Sequence, residues 1–279
     1  MRAFVSVDME GMPFIVSPEH LSVRRKLFEE ARKIATKVVV TVVERLHVNG
    51  FEEMIVADSH GGMINIDVLE MPEYVEVLRG YPRPVSMVLG VEECDAVLFL
   101  GYHAKFGTSH STFDHTYSGA TYRSVKINGV EVSEYLLNTY IAGHFNKPVI
   151  LVAGEEKLME EVEKYTPWAV RVPLKKSFSR YSARSLSLKR LSKLLQEAVD
   201  KAVNSFKNGL AKPLKTKSPV DLELVFHSSL YADAASLMPG VVRTNGLTVK
   251  YKARDVVEAY KVMELLSLAA NGVRNIFST

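Results

Sequence analysis

Short apolar runs alternate with long amphipathic stretches through the first half of this chain. Arg2-Ala3-Phe4-Val5-Ser6-Val7, Met54-Ile55-Val56-Ala57 and Ala96-Val97-Leu98-Phe99-Leu100-Gly101 have strand length and read as buried strands. Between the first two, Leu27, Ala31, Ile34, Ala35, Val38, Val39, Val42 and Leu46 recur at three- and four-residue spacing. That stripe predicts one helix from about Leu21 to Val48, stopped by Asn49-Gly50. The first sixty residues therefore read as a βαβ unit.

Further on, Ser124 to Val132 is a strand, an Asn128-Gly129 turn and a second strand, the pattern of a hairpin. Ser133 is placed to cap a helix from Glu134 to about His144. A strand over Pro148–Ala153, a helix near Lys157–Tyr165 and a strand over Ala169–Val172 follow. Lys175 to Ser187, dense in Ser, Lys and Arg, reads as a linker. Beyond it the pattern predicts a helix (Leu188–Phe206), a strand (Asp221–Phe226), a short helix (Ala232–Leu237), a strand pair near Val241–Ala253 and a last helix (Asp255–Asn271). The expected fold is α/β: a three-layer α/β/α main domain over residues 1–180 and a smaller C-terminal α+β domain over 181–279.

Composition narrows the function classes. Of the 279 residues, 47% are hydrophobic and 24% charged, as in an ordinary globular chain. A net charge of +3, without a basic block interleaved with aromatics, argues against nucleic acid as partner. The apolar stretch from Ile34 to Leu46 is broken by Lys37, Glu44 and Arg45, so no membrane span is expected, and no signal-peptide core fits before Asp8. The single cysteine, Cys94, cannot pair within the chain and has no cationic neighbour in sequence, which suits a structural thiol in a cytoplasmic protein.

The chemistry lies at the ends of the apolar runs. Asp8 and Glu10 follow the first, Asp58 and His60 the second, and His103 the third. In open α/β sheets ligands bind outside the carboxyl ends of the strands, so these groups are expected to meet. Asp8 and Glu10, two apart, fall on one side of an extended chain. Asp58 reads better as a turn residue binding nearby amides, and His60, before Gly61-Gly62, as the better ligand. A glutamate near the helix at 134 could complete the set; Glu131 and Glu134 are equally open on sequence physics. Three such carboxylates and two neutral imidazoles balance two divalent ions and a hydroxide better than they balance one ion. Carboxylate with imidazole suits zinc, and the set points to a metal-dependent hydrolase. His110 and His115, in the polar loop after His103, are candidates for an unligated acid–base or nucleophilic histidine.

Ser6-Val7-Asp8-Met9-Glu10-Gly11, Ala57-Asp58-Ser59-His60 and Leu98-Phe99-Leu100-Gly101-Tyr102-His103-Ala104 resemble the D-aminopeptidase family of zinc metallopeptidases associated with dipeptide transport operons. Asp114-His115-Thr116-Tyr117, Ser133-Glu134-Tyr135-Leu136-Leu137-Asn138, Pro148 to Gly154, Leu237-Met238-Pro239-Gly240 and Ala253-Arg254-Asp255 extend the likeness over nearly the whole chain. The resemblance implies two Zn²⁺ held by Asp8, Glu10, His60, His103 and Glu134, with Asp8 bridging, and it selects Glu134 over Glu131. It implies His115 as the catalytic base or nucleophile, although the tract Lys105 to Phe113 departs from the family and carries the extra His110. It also implies release of N-terminal D-amino acids from short peptides inside a ring-shaped homo-oligomer, a decamer in the family. The alternatives are hydrolysis of another small amide, ester or lactone, and a non-catalytic peptide- or metal-binding protein serving transport.

Overall fold

The structure is a computed structural model that describes residues 1–276. Along the chain come β1 (Arg2–Val7), α1 (Phe28–Val48), β2 (Glu53–Asp58), β3 (Val75–Leu78) and β4 (Ala96–Tyr102). Then follow β5 (Tyr122–Ile127), β6 (Val130–Glu131), α2 (Glu134–His144), β7 (Val149–Glu155), α3 (Leu158–Tyr165), β8 (Val170–Ser179) and β9 (Ser182–Arg184). The chain closes through α4 (Leu188–Lys207), β10 (Val220–Phe226), α5 (Ser229–Ala235), β11 (Val242–Arg243), β12 (Thr248–Ala253) and α6 (Val256–Ile276).

Seven strands form one sheet in the order β3-β2-β1-β4-β7-β8-β9, parallel except for β9. The side chains of β1 alternate between two cores. Ala3, Val5 and Val7 pack with the apolar stripes of α1 and α4, whereas Phe4 packs with α2, α3 and α6. A second, antiparallel sheet in the order β11-β12-β10-β5-β6 shares the latter core.

Three expectations change. The helix expected from Leu21 begins at Phe28, because 22–27 hold exposed Arg24, Arg25 and Lys26 and Leu27 makes no side-chain cap. The segment expected as a linker is the end of β8 and its hairpin with β9; Lys175 and Ser177 are buried despite their polarity. The division expected after residue 180 does not separate the sheets. The β5–β6 hairpin, ahead of it, pairs with β10, and α4, beyond it, packs on the seven-stranded sheet.

This strand order decides where a site can form. After β1 the chain adds β2 and β3 on one side, then crosses to add β4 and β7 on the other, so the connections diverge between β1 and β4. A crevice opens at such a switch point, outside the strand carboxyl ends. Two glycines let those ends touch there. Gly101 has φ +74, and a Cβ on it would lie 2.0 Å from the Asp8 carbonyl oxygen. A Cβ on Gly11 would lie 1.9 Å from the Tyr102 carbonyl oxygen. The contact is held by Asp8 N–H donating to Leu100 O at 2.8 Å and Gly11 N–H donating to Gly101 O at 2.7 Å. A Gly101→Ala variant is expected to lose at least ~3 kcal/mol of unfolding free energy in a urea titration, from left-handed strain plus overpacking. A loss below about 1 kcal/mol would show that the strand ends can part at little cost.

Candidate metal centre

Asp8, Glu10, His60, His103 and Glu134, with His115, meet at that switch point. They arrive from several supports. Asp8 and Glu10 leave the end of β1, His60 follows β2, and His103 follows β4. Glu134 opens α2 behind a Ser133 cap whose hydroxyl accepts from Leu136 N–H, and His115 comes from the loop between β4 and β5. His60 Nδ1 lies 2.8 Å from Glu10 Oε2 and 3.4 Å from Asp8 Oδ1. On the other side, His103 Nε2 lies 3.4 Å from Asp8 Oδ2 and 3.5 Å from Glu134 Oε2. His115 Nε2 is 3.3 Å from Glu134 Oε1, and its ring stacks on His103 at 4.3 Å. Asp8 thus faces a different imidazole with each oxygen.

A backbone carbonyl orients every imidazole. His60 Nε2 pairs with Leu21 O at 2.9 Å, His103 Nδ1 with Ala104 O at 3.0 Å, and His115 Nδ1 with Phe113 O at 2.7 Å. A carbonyl only accepts, so the nitrogen beside it carries hydrogen and the other nitrogen presents its lone pair to the carboxylates. Acceptor then faces acceptor in a buried space. Asp8 Oδ2, Glu10 Oε2 and His103 Nε2 are buried with no hydrogen-bond partner. Groups so crowded and unsatisfied are expensive unless a cation joins them. Without one, protons must do so. Burial disfavours a charged His103, but the Glu134 and Asp8 charges prevail and raise it to about 10. His60 is raised in the same way by Glu10 and Asp8 against its burial. Burial and the neighbouring Glu10 charge push Asp8 well above the usual carboxylate range. Burial also opposes ionised Glu134, yet His103 and His115 hold it below its ordinary value.

Two three-residue groups have their ligand atoms within 4.8 Å of one another: Asp8, Glu10 and His103, and His103, His115 and Glu134. Oxygen and imidazole nitrogen in this proportion suit zinc. By this test the residues present fit a metal, and the two groups share His103.

A cavity of about 260 Å³ opens onto the cluster, near the small end of ligand pockets, which run from about 300 Å³. His115 lines it, as do Ser59, Tyr81, Tyr117, Ser267 and Asn271, the last two contributed by α6. His103 lies behind, its side chain fully buried.

Other candidates fall outside the centre. Asp58 accepts from Asn65 N–H, Asn65 Nδ2 and Ile66 N–H, and so binds the following turn. His110 is exposed and pairs with Phe178 O at 2.9 Å on the β8–β9 hairpin. Asp114 does not orient His115; its carboxylate pairs with Arg180 and accepts from Gly107 N–H. Cys94 is buried, which pushes its thiol up to about 12. Glu131 is only part-buried and pairs with Lys105 at 3.4 Å.

Sequence reasoning missed three supports. Tyr117 N–H donates to Glu134 Oε1 at 2.6 Å, so the loop holds a carboxylate of the centre through its backbone. Lys175, inside the expected linker, donates from Nζ to the carbonyls of Glu10 at 2.5 Å and Ile15 at 2.6 Å, and burial lowers its pKa to about 7. Glu155 ends β7 and binds the loop after His103. Of the three, only Glu155 carried a signal, since it too follows an apolar run at a strand end.

The chain resembles characterised proteins along nearly all its length. It is 30% identical over 269 residues to the D-aminopeptidase of Bacillus subtilis (strain 168), an alignment covering 96% of this chain and 97% of that protein. It superposes with a TM-score of 0.93 on a structure described as the Zn-dependent D-aminopeptidase DppA from Bacillus subtilis, a self-compartmentalizing protease. That match, also at 30% identity, covers 97% of this chain and 98% of the other. The sequence profile of the D-aminopeptidase family matches residues 1–265. On that match, and on a likeness that runs end to end, this chain belongs to the D-aminopeptidase family.

Proposed function

We propose that the chain is a zinc-dependent aminopeptidase that releases N-terminal D-amino acids from short peptides or amino-acid amides. The observation that carries the proposal is the buried meeting of acceptors at the switch point, where Asp8 turns one oxygen to His60 and the other to His103. Asp8, Glu10, His60, His103 and Glu134 would hold two Zn²⁺, with Asp8 shared between them. Zinc held there would polarise the scissile carbonyl and make water acidic enough to attack near neutral pH.

The chain's own residues do the remainder. His115 has Nδ1–H committed to Phe113 O, so Nε2 is left as base or nucleophile at the cavity wall. As a base, Nε2 would take a proton from the attacking water and pass it to the leaving amine. The small cavity admits the end of a peptide and excludes a folded chain. Glu10 is fixed from behind by Lys175, which grips its carbonyl and leaves its carboxylate for the centre. Among the described residues no helix is long and apolar enough to cross a membrane. A closed, ring-shaped homo-oligomer, a decamer in one form, and a cytoplasmic location belong to the same proposal. The first is supported by the description of the DppA relative, and the second by a lone, buried cysteine.

The test is a panel of D- and L-amino-acid amides and dipeptides offered to the zinc-loaded protein. D-substrates with a free amine are expected to be hydrolysed, a chelator to stop turnover, and added zinc to restore it. Equal rates on L-substrates would end the stereochemical part alone. A protein that binds zinc yet hydrolyses none of the panel would end the whole proposal.

A further inference from the structure

Glu155 is fully buried at the end of β7, the strand beside β4, yet it belongs to neither ligand group of the metal centre. It accepts from Ala104 N–H and Thr112 N–H, each at 3.0 Å, from Ser177 Oγ at 2.8 Å, and from Ser111 Oγ. Thr112 Oγ1 adds a longer contact at 3.4 Å. Ala104 follows His103 directly. Ser111 and Thr112 lead into Phe113, whose carbonyl holds His115 Nδ1. One carboxylate therefore ties together both ends of the loop that separates the two stacked histidines.

That loop needs holding. Residues 103–121 contain neither helix nor strand, and His110, Phe113 and Tyr117 adopt φ of 55°, 55° and 65°. Left-handed backbone at bulky residues costs roughly 1–3 kcal/mol each and persists only where the surroundings impose it. Phe113 in this conformation brings its carbonyl to 2.7 Å from His115 Nδ1. From outside, Arg180 binds the carbonyl and carboxylate of Asp114, and its own carbonyl accepts from Phe113 N–H at 3.3 Å. From inside, the support at this point is Glu155. A buried carboxylate is tolerated where hydrogen bonds satisfy it, and here the loop supplies most of the donors.

We infer that Glu155 is the positioning residue for His115, setting the loop so that Nε2 stands against Glu134 and the cavity. This inference rests on the reading of His115 given above. Glu155→Gln keeps the size of the side chain but turns an N–H₂ toward N–H and O–H donors, so the loop must shift.

The experiment measures kcat, KM and zinc content of the full-length, zinc-loaded enzyme. For Glu155→Gln, kcat is expected to fall on the order of 10²-fold, the cost of misplacing a reacting group by about 1 Å. KM should stay within about threefold and the zinc content should not change. Ser111→Ala removes one donor without stranding a charge, so it folds wherever the glutamine variant does not; its kcat should fall about tenfold with the same KM. In a His115→Ala background, Glu155→Gln should change the residual kcat less than about threefold, because no imidazole is left to misplace.

Several results overturn the inference. These are parent-like kcat in both single variants, loss of zinc in step with loss of kcat, or an equal further drop in the His115→Ala background. A parent-like Glu155→Gln beside a crippled His115→Ala overturns the role of Glu155 and leaves His115 standing. A parent-like His115→Ala removes both.

Discussion

Asp8→Ala protein is expected to retain less than one zinc per chain after metal-replete purification and to lose at least ~10³-fold in turnover, because several kcal/mol of charge stabilisation depart with the ions. The expectation follows from position. Asp8 faces an imidazole with each carboxylate oxygen, Oδ1 3.4 Å from His60 Nδ1 and Oδ2 3.4 Å from His103 Nε2. Removing Glu10 or Glu134 would damage one half; removing Asp8 undoes the shared edge. A stability measurement separates this from unfolding. In the metal-free protein Asp8 is held against its neighbours at a cost, as its raised pKa reflects. Metal-free Asp8→Ala should therefore melt at the same temperature as metal-free parent, or higher. Two zincs per chain with parent turnover would refute the bridging role.

His115→Ala is expected to keep two zincs and to lose about 10²- to 10⁴-fold in kcat, the range for removing a positioned acid–base group. Geometry sets His115 apart from its stacked neighbour. His103 is fully buried and turns Nε2 between two carboxylates, whereas His115 retains 17% side-chain exposure and lines the cavity. His115 and Glu134 also form a possible ligand group with His103, so metal analysis carries the decision. A variant holding only one zinc would make His115 a ligand. A variant with two zincs and near-parent turnover would leave it with no chemical role.

Much of the fold was legible because burial writes itself into patterns. A strand covered on both faces reads as an unbroken apolar run, and the three that carry the site begin and end within a residue or so of the observed β1, β2 and β4. The stripe of α1 was plain for the same reason, but its start was not, since no capping side chain marks Phe28. The Lys175–Ser187 stretch was misread because it continues a strand whose Lys175 and Ser177 are paired inside the protein. Lys175 is satisfied by two carbonyls and Ser177 by Glu155, partners more than twenty residues away in the chain. Local pattern cannot register a distant partner.

For the site, the residues and their chemical class were present in the sequence: two acids and two imidazoles, each following an apolar run. The choice of Glu134 over Glu131 came from the family resemblance and not from any pattern in the residues. Their supports separate them, since Glu131 ends a hairpin strand and pairs with Lys105, while Glu134 begins a capped helix and brings its carboxylate to His103. The same holds for the two loop histidines. His110 and His115 are five residues apart, and only the Phe113 carbonyl and the grip of Arg180 and Glu155 turn one inward and leave the other on the surface.

The sequence by itself determined the three strands that carry the site, which side chains stand at their ends, and that those side chains could hold metal. These are properties of adjacent residues, set by burial period and donor type. Only the tertiary structure decided that β1 lies between β2 and β4, so that the chain reverses its winding where three of those ends meet. It also decided which oxygen faces which imidazole, and that a glutamate at a fourth strand end holds a loop instead of a metal. Such facts depend on residues brought together from far apart, through close backbone approaches such as that of Gly101 to Asp8, and no local pattern contains them.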